Sequence, residues 1–265
     1  MRLSLVQYTA EPSVSVSESR VFPLMREAVA AGAQVIVLPE CALFLSTRQS
    51  ASREAALSID SAPVARLAQF AKQHAVWLVV GSLTLRIEDM IRNRCLVFDP
   101  HGQLIQSYDK IHLFDVQLAS GESYRESALF CAGKSPAMVE IAQVPVGLSI
   151  CFDLRFPKLF RHYASQGAGL VLVPAAFTKT TGEAHWHTLL RARAIENGLF
   201  VAAAAQCGIT EEGRETFGHS VVYDPWGACL GQLDAAPGVL TVDLELAAVE
   251  RARSQIPVLS QDRDF

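Results

Sequence analysis

Two apolar runs, each closed by one reactive side chain, constrain this chain more than any bulk property. Val35-Ile36-Val37-Leu38-Pro39 leads to Glu40, and Val144–Ile150 leads directly to Cys151. The first is short, wholly apolar and without helical spacing, which reads as a strand buried on both faces. The second reads as a buried strand that meets polar and charged residues at once, as a strand-to-helix turn would. A third segment, after Asp99, ends at Lys110. The three ends together predict one site built from glutamate, lysine and cysteine.

Strand and helix patterns alternate along the whole chain. Strands are predicted at 2–8, 35–38, 76–85, 93–98, 104–108, 138–141, 144–150, 170–173, 200–205, 219–223, 229–233 and 239–242. Helices are predicted at 21–31, 63–74, 154–166, 183–196 and 244–253. Asp99-Pro100-His101-Gly102 and Asp224-Pro225-Trp226-Gly227 are turn signals between paired strands. Phe114 to Pro136 is polar and aperiodic, the kind of connection that carries function on a scaffold. This order predicts a single α/β domain over 1–265, with mixed sheets and outer helices. No Gly-, Ser- or Pro-rich linker divides it.

Composition removes several classes of function. A chain of 265 residues with 50% hydrophobic residues can bury a large core. Its net charge of −4, with no basic block interleaved with aromatics, gives no case for nucleic acid. No apolar stretch reaches membrane-spanning length, and no secretory leader is read at Met1, so the cytoplasm is the expected compartment. Six cysteines are too sparse for a disulfide scaffold and match no common zinc spacing. Ala132-Gly133-Lys134-Ser135 resembles the end of a phosphate loop, but Ala128 stands where the full pattern needs glycine.

Each candidate residue has two readings. Cys151 is either a nucleophile, activated by nearby positive charge and helix N–H groups, or a core cysteine. Glu40 is a proton-transfer carboxylate at a pocket rim or an ordinary helix-start acid. Lys110 is an oxyanion stabiliser or a surface loop lysine. His112 reads as structural rather than as a base. Glu126 orients Lys110 or the leaving amine, or is a common charged loop residue. Arg155 grips a substrate carboxylate or pairs with a neighbouring acid.

The motifs around these residues resemble the nitrilase superfamily of carbon-nitrogen hydrolases. They include Leu38-Pro39-Glu40, Tyr108-Asp109-Lys110-Ile111-His112-Leu113-Phe114, Arg125-Glu126-Ser127 and Ser149 through Pro157. Further matches are Thr181 through Trp186, Arg191 through Asn197, Gly218-His219-Ser220, Asp224 through Gly227 and Ile256-Pro257-Val258. The resemblance covers nearly the whole chain, and together the motifs are highly specific. It implies a four-layer α-β-β-α sandwich that forms a homodimer. It assigns Cys151 as nucleophile, Glu40 as general acid and base, Lys110 as oxyanion stabiliser and Glu126 as the second glutamate. The Phe152 N–H would complete the oxyanion site. Phe152, Arg155, Phe114, Phe177 and Thr181 are the implied substrate contacts.

The implied reaction cleaves a linear carboxylated amide to carboxylate and ammonia through a thioester, with water and without metal or organic cofactor. Within the superfamily, Ala203 through Gly208 and the Thr181–Trp186 segment are similar to the deaminated-glutathione amidase branch of the Nit group. ω-Amidase activity on α-ketoglutaramate or α-ketosuccinamate, another aliphatic amidase, a carbamoyl-amide hydrolase and a noncatalytic scaffold are the alternatives. Three residues depart from the branch pattern. Phe152 and Lys158 stand where tyrosine and glutamate are common, and Asp109 stands where a basic residue is common beside the lysine.

Overall fold

The computed structural model describes residues 1–117, 121 and 123–263. Positions 118–120 and 122 of the aperiodic segment, and the last two residues of the polar tail, lie outside them.

The strands of the first sheet are β1 (Arg2–Gln7), β2 (Val35–Val37), β3 (Trp77–Ile87), β4 (Met90–Phe98) and β5 (Leu104–Asp109), with β16 (Gly238–Asp243) on the opposite edge. Between them in the chain lie helices α1 (Val14–Ala30), α2 (Gln49–Glu54) and α3 (Ala62–His74). Two short strands, β6 (Asp115–Gln117) and β7 (Ser123–Arg125), pair into a hairpin before a 3₁₀ turn at Glu126–Ala128. The second sheet contains β8 (Ala137–Ile141), β9 (Val144–Leu148), β10 (Leu170–Leu172), β11 (Phe200–Ala203), β14 (Val221–Tyr223) and β15 (Cys229–Gln232). A separate hairpin joins β12 (Cys207–Ile209) to β13 (Glu215–Phe217). The other helices are α4 (Pro157–Ser165), α5 (Lys179–Asn197), α6 (Ala247–Gln255) and α7 (Val258–Gln261).

The sheet orders are β16-β1-β2-β3-β4-β5 and β15-β14-β11-β10-β9-β8. In each, three adjacent strands are parallel and the outer pairings antiparallel. Parallel strands need covered faces on both sides, and the residues supply them. Leu3, Leu5, Val35 and Val37 share one core with Val146, Leu148, Leu170 and Leu172 of the other sheet. The alternate side chains Val6, Ile36 and Leu38 pack with Val21, Met25 and Ala28 of α1 and Val64, Leu67 and Phe70 of α3. Phe160 and Tyr163 of α4, with Leu190 and Ala194 of α5, cover the second sheet. Each buried Val, Leu, Ile, Phe or Met side chain among them contributes about 1.5–3 kcal/mol. The layers therefore run helix, sheet, sheet, helix: the four-layer α-β-β-α sandwich.

Several boundaries differ from expectation for identifiable reasons. Helix α1 begins at Val14, before the expected 21, because its Ser-rich first turns are polar where they meet solvent. The 154–166 helix divides. A 3₁₀ turn takes Cys151–Arg155, and Pro157 opens α4 at the position where its missing N–H costs nothing. Helix α5 starts at Lys179 rather than 183, because the Thr178 side chain caps it at Thr181 N. The β3–β4 pair extends to Ile87 and Met90 around a turn at Glu88-Asp89 that carries no glycine.

Candidate active site

Chain topology brings four distant residues to one end of the sandwich. Glu40 follows β2, Lys110 follows β5 and Glu126 opens the 3₁₀ turn after the small hairpin. Cys151 follows β9. Glu40, Lys110 and Cys151 are only 4%, 2% and 7% exposed. Charges so buried must be paired. Lys110 Nζ lies 2.8 Å from Glu40 Oε1, and 3.1 and 2.9 Å from the two Glu126 oxygens.

A second set of donors fixes the two carboxylates. Asn93 Nδ2 donates to Glu40 Oε1 at 2.9 Å and to Glu126 Oε1 at 3.0 Å. The Ala176 N–H donates to Glu40 Oε2 at 2.9 Å, and the Phe114 N–H to Glu126 Oε2 at 2.6 Å. Sequence reading missed Asn93. Its signal was an amide facing inward on a strand whose neighbours Ile91 and Cys95 are apolar and buried.

Cys151 sits at φ +50°, in the left-handed region that non-glycine residues rarely adopt. Asp153, fully buried, stabilises that turn. Its Oδ2 accepts from the Ile150 N–H at 2.8 Å and from Tyr108 Oη at 2.7 Å. Its Oδ1 accepts from the His112 N–H at 3.1 Å and bonds His112 Nδ1 at 2.6 Å. His112 also stacks on Phe156 at 3.6 Å between ring centres. The anchoring role of Asp153 was not read from the sequence, although a carboxylate two residues after the cysteine was visible there.

The electrostatics follow from this packing. Burial pushes the Glu40 carboxyl up, but the Lys110 ammonium and hydrogen bonds from Lys110, Cys151 and Asn93 bring it below its usual value. Burial and the Glu40 charge hold the Cys151 thiol well above its usual value, against the pull of Lys110. Lys110 loses solvation on burial, yet the Glu126 and Glu40 carboxylates hold it firmly charged. The resting arrangement is thus an ionised carboxylate facing a neutral thiol, with an ammonium between two carboxylates. It can move a proton from sulfur to carboxylate as a bond forms, and offers a fixed cation to a developing oxyanion.

A cavity of about 650 Å³ opens on these residues. Phe114, Phe152, Phe177 and Thr181 line it, as do Phe44, Tyr124 and Arg214. Arg155 does not; its guanidinium lies 5.9 Å from the Phe152 ring centre and 5.5 Å from that of Phe177, both lining rings. Lys158 is exposed on α4, away from the cavity. Asp109 pairs with Arg94 at 2.6 and 2.8 Å beside a different crevice. Of the three unusual residues, only Phe152 touches the cavity. Among the described residues no group of three or more His, Cys, Asp or Glu is arranged to hold a metal ion.

A carbon-nitrogen hydrolase family model matches residues 2–254. The deaminated glutathione amidase of Yersinia enterocolitica is 39% identical over 236 residues, covering 88% of this chain and 82% of that protein. Omega-amidase NIT2 of Xenopus tropicalis is 36% identical, covering 99% of this chain and 95% of its own length. The crystal structure of the C. elegans NitFhit protein superposes with a TM-score of 0.93 at 33% identity. It covers 99% of this chain, which spans 65% of that longer one. With this site and these likenesses, the chain belongs to the carbon-nitrogen hydrolase family.

Proposed function

We propose that the chain hydrolyses a linear, carboxylate-bearing amide through a Cys151 thioester, with deaminated glutathione as substrate. The observation that carries the chemistry is the buried Glu40–Lys110–Glu126 relay beside a neutral Cys151 thiol. The likeness to the Yersinia amidase and the roomy cavity support the substrate. About 300–1,000 Å³ is the range that encloses drug-sized ligands, and 650 Å³ lies within it.

In the first half-reaction Cys151 Sγ attacks the amide carbon as its proton passes to Glu40. The carbonyl electron pair moves onto oxygen, held by Lys110 Nζ and the Phe152 N–H. Glu40 returns the proton to nitrogen, and the C–N bond breaks. Nitrogen leaves as ammonia from a primary amide, or as an amine from a substituted one. In the second half-reaction water gives a proton to Glu40 and attacks the thioester. The C–S bond then breaks, and sulfur takes the proton back. Glu126 holds Lys110 in place throughout. Phe114, Phe152, Phe177 and Thr181 surround the acyl portion, and Arg155 packs its guanidinium against the Phe152 and Phe177 rings.

The reading extends to the whole chain: one domain over 1–265, working in the cytoplasm as a homodimer, without nucleic acid or membrane partners. The core shared by both sheets supports one domain. Six free cysteines suit a reducing compartment. Exposed Ile195 and Trp226, on adjoining segments, offer an apolar patch to a second copy. No helix among the described residues is long and apolar enough to cross a membrane.

The near full-length likeness to omega-amidase NIT2 favours α-ketoglutaramate as a second reading. Product formation from each substrate, followed by mass spectrometry with Cys151→Ala as control, separates the two. Higher kcat/KM on deaminated glutathione is expected. Preference for α-ketoglutaramate would replace the first substrate with the second, and equal turnover by C151A would remove the mechanism.

A further inference from the structure

Resting on the amide-hydrolase reading, we infer that Arg214 is the cavity's anchor for the substrate carboxylate, and that it, rather than Arg155, makes the enzyme select anionic amides.

The charges lining the cavity show why an anchor is needed. Lys110 is shared by Glu40 and Glu126, so the reaction centre carries a net charge of one minus. An anionic substrate entering that field is repelled unless a cation further along the cavity offsets it. Two other lining or adjacent cations are already matched: Lys179 to Glu215 at 2.9 Å and Arg48 to Glu212 at 2.8 Å. Arg125 lines the mouth but is exposed, where solvent screens its charge.

Arg214 is different. It is half-buried, lines the cavity and has no carboxylate partner among the described residues. Its Nη2 donates to the Ala176 carbonyl at 3.1 Å, and its Nε is buried without an acceptor among the described residues. Nη1 has no acceptor among the described residues, and the guanidinium lies 5.9 Å from the Tyr124 ring centre. A guanidinium held on one edge and unpaired on another is preorganised to receive a carboxylate.

The backbone holds this geometry. Arg214 closes the turn between β12 and β13. Its N–H donates to Thr210 Oγ1 at 3.1 Å, and its carbonyl accepts from the Thr210 N–H at 2.9 Å. Ala176 links the anchor to the chemistry: its carbonyl takes Arg214, while its N–H donates to Glu40 Oε2. A carboxylate on Arg214 therefore lies on the same strand-end segment that aligns the catalytic carboxylate. Arg155 does not line the cavity; its guanidinium lies against the Phe152 and Phe177 rings and its Nη1 is 3.2 Å from His185 Nδ1.

The test measures binding apart from turnover. Calorimetry on C151A compares glutaramate, a linear amide with one carboxylate, with its neutral methyl ester. Adding Arg214→Gln keeps an N–H donor for Ala176 but removes the charge. Glutaramate affinity is expected to fall at least ten-fold while ester affinity changes less than two-fold, and Arg214→Lys is expected to recover part of the loss. Thermal unfolding midpoints for all variants report folding. Equal losses on both ligands would show that Arg214 only shapes the cavity, and unchanged glutaramate affinity would show that it does not read the carboxylate. Either result overturns the assignment. If the selective loss is seen but wild-type protein cleaves no amide, the hydrolase reading fails and the anion anchor stands.

Discussion

At the scale of single residues, the site keeps its buried cysteine un-ionised at rest. Burial and the neighbouring Glu40 charge keep Cys151 a thiol, and Glu40 stays ionised because Lys110 faces it. A carboxyl whose folded value is lowered contributes stability above its usual value near 4.5 and loses it as pH falls through the lower one. Activity is therefore expected to hold through neutrality and to fall only below about pH 4.5 on the acid side. Thiolate absorbance near 240 nm, compared between wild type and Cys151→Ala, checks the sulfur. No Cys151-dependent signal is expected between about pH 6 and 9; a thiolate appearing near neutrality would contradict the arrangement. Asn93 makes the complementary case. Asn93→Asp places a third carboxylate against Glu40 and Glu126, and kcat is expected to fall about 10²-fold or more while folding persists.

At the scale of elements, two loops are joined across the cavity mouth by one carboxylate. Glu212 accepts from Ser46 Oγ at 2.7 Å, the Thr47 N–H at 2.6 Å, Thr47 Oγ1 at 2.9 Å and Arg48 Nε at 2.8 Å. Against the opposing effect of burial, these bonds lower its carboxyl to about 2. The join is thus present above the ordinary carboxylate value and is lost only as pH drops toward about 2. Glu212→Ala is expected to raise KM several-fold with a smaller change in kcat, read by steady-state kinetics. A fall in kcat alone would place Glu212 in the chemistry instead. These loops also mark where sequence reading stopped. Long apolar strands such as β3, and helices with clear periodicity such as α3, were legible because burial on a known face leaves a pattern. The β6–β7 and β12–β13 hairpins were not, because three-residue strands around the cavity mouth carry no period and take their shape from side-chain bonds such as those of Thr210 and Glu212. The inferred carboxylate anchor meets the same limit: Arg155 is near Cys151 in sequence, whereas Arg214 reaches the cavity only through the folding of a distant hairpin.

For the molecule as a whole, the site depends on how closely two sheets approach each other. Gly81 lies in the irregular stretch of β3 between Val80 and Leu83. A Cβ there would meet the Leu38 carbonyl at 2.1 Å, Pro174 Cβ at 2.4 Å and the Pro39 carbonyl at 2.6 Å. Leu38 and Pro39 lead to Glu40, and the Pro174 carbonyl accepts from the Cys151 N–H at 2.9 Å. Gly81 thus lets the strand end that carries Glu40 approach the one that holds Cys151. Gly81→Ala is expected to cost about 1–3 kcal/mol of stability through overpacking and to lower kcat well beyond what partial unfolding explains, as measured by denaturant titration beside kinetics. Unchanged kcat with lowered stability would separate packing from catalysis. The family pattern in the sequence was enough to bring Glu40, Lys110, Glu126 and Cys151 together. The positions of Asn93, Asp153 and Gly81, which hold those four in place, depend on contacts between strands that no local pattern records. The most direct test is intact-mass and peptide mass spectrometry on protein quenched during turnover of the deaminated glutathione amide. An added acyl mass on the peptide containing Cys151, absent in Cys151→Ala, is the predicted result; full turnover with no acyl adduct at Cys151, or turnover by C151A, would contradict it.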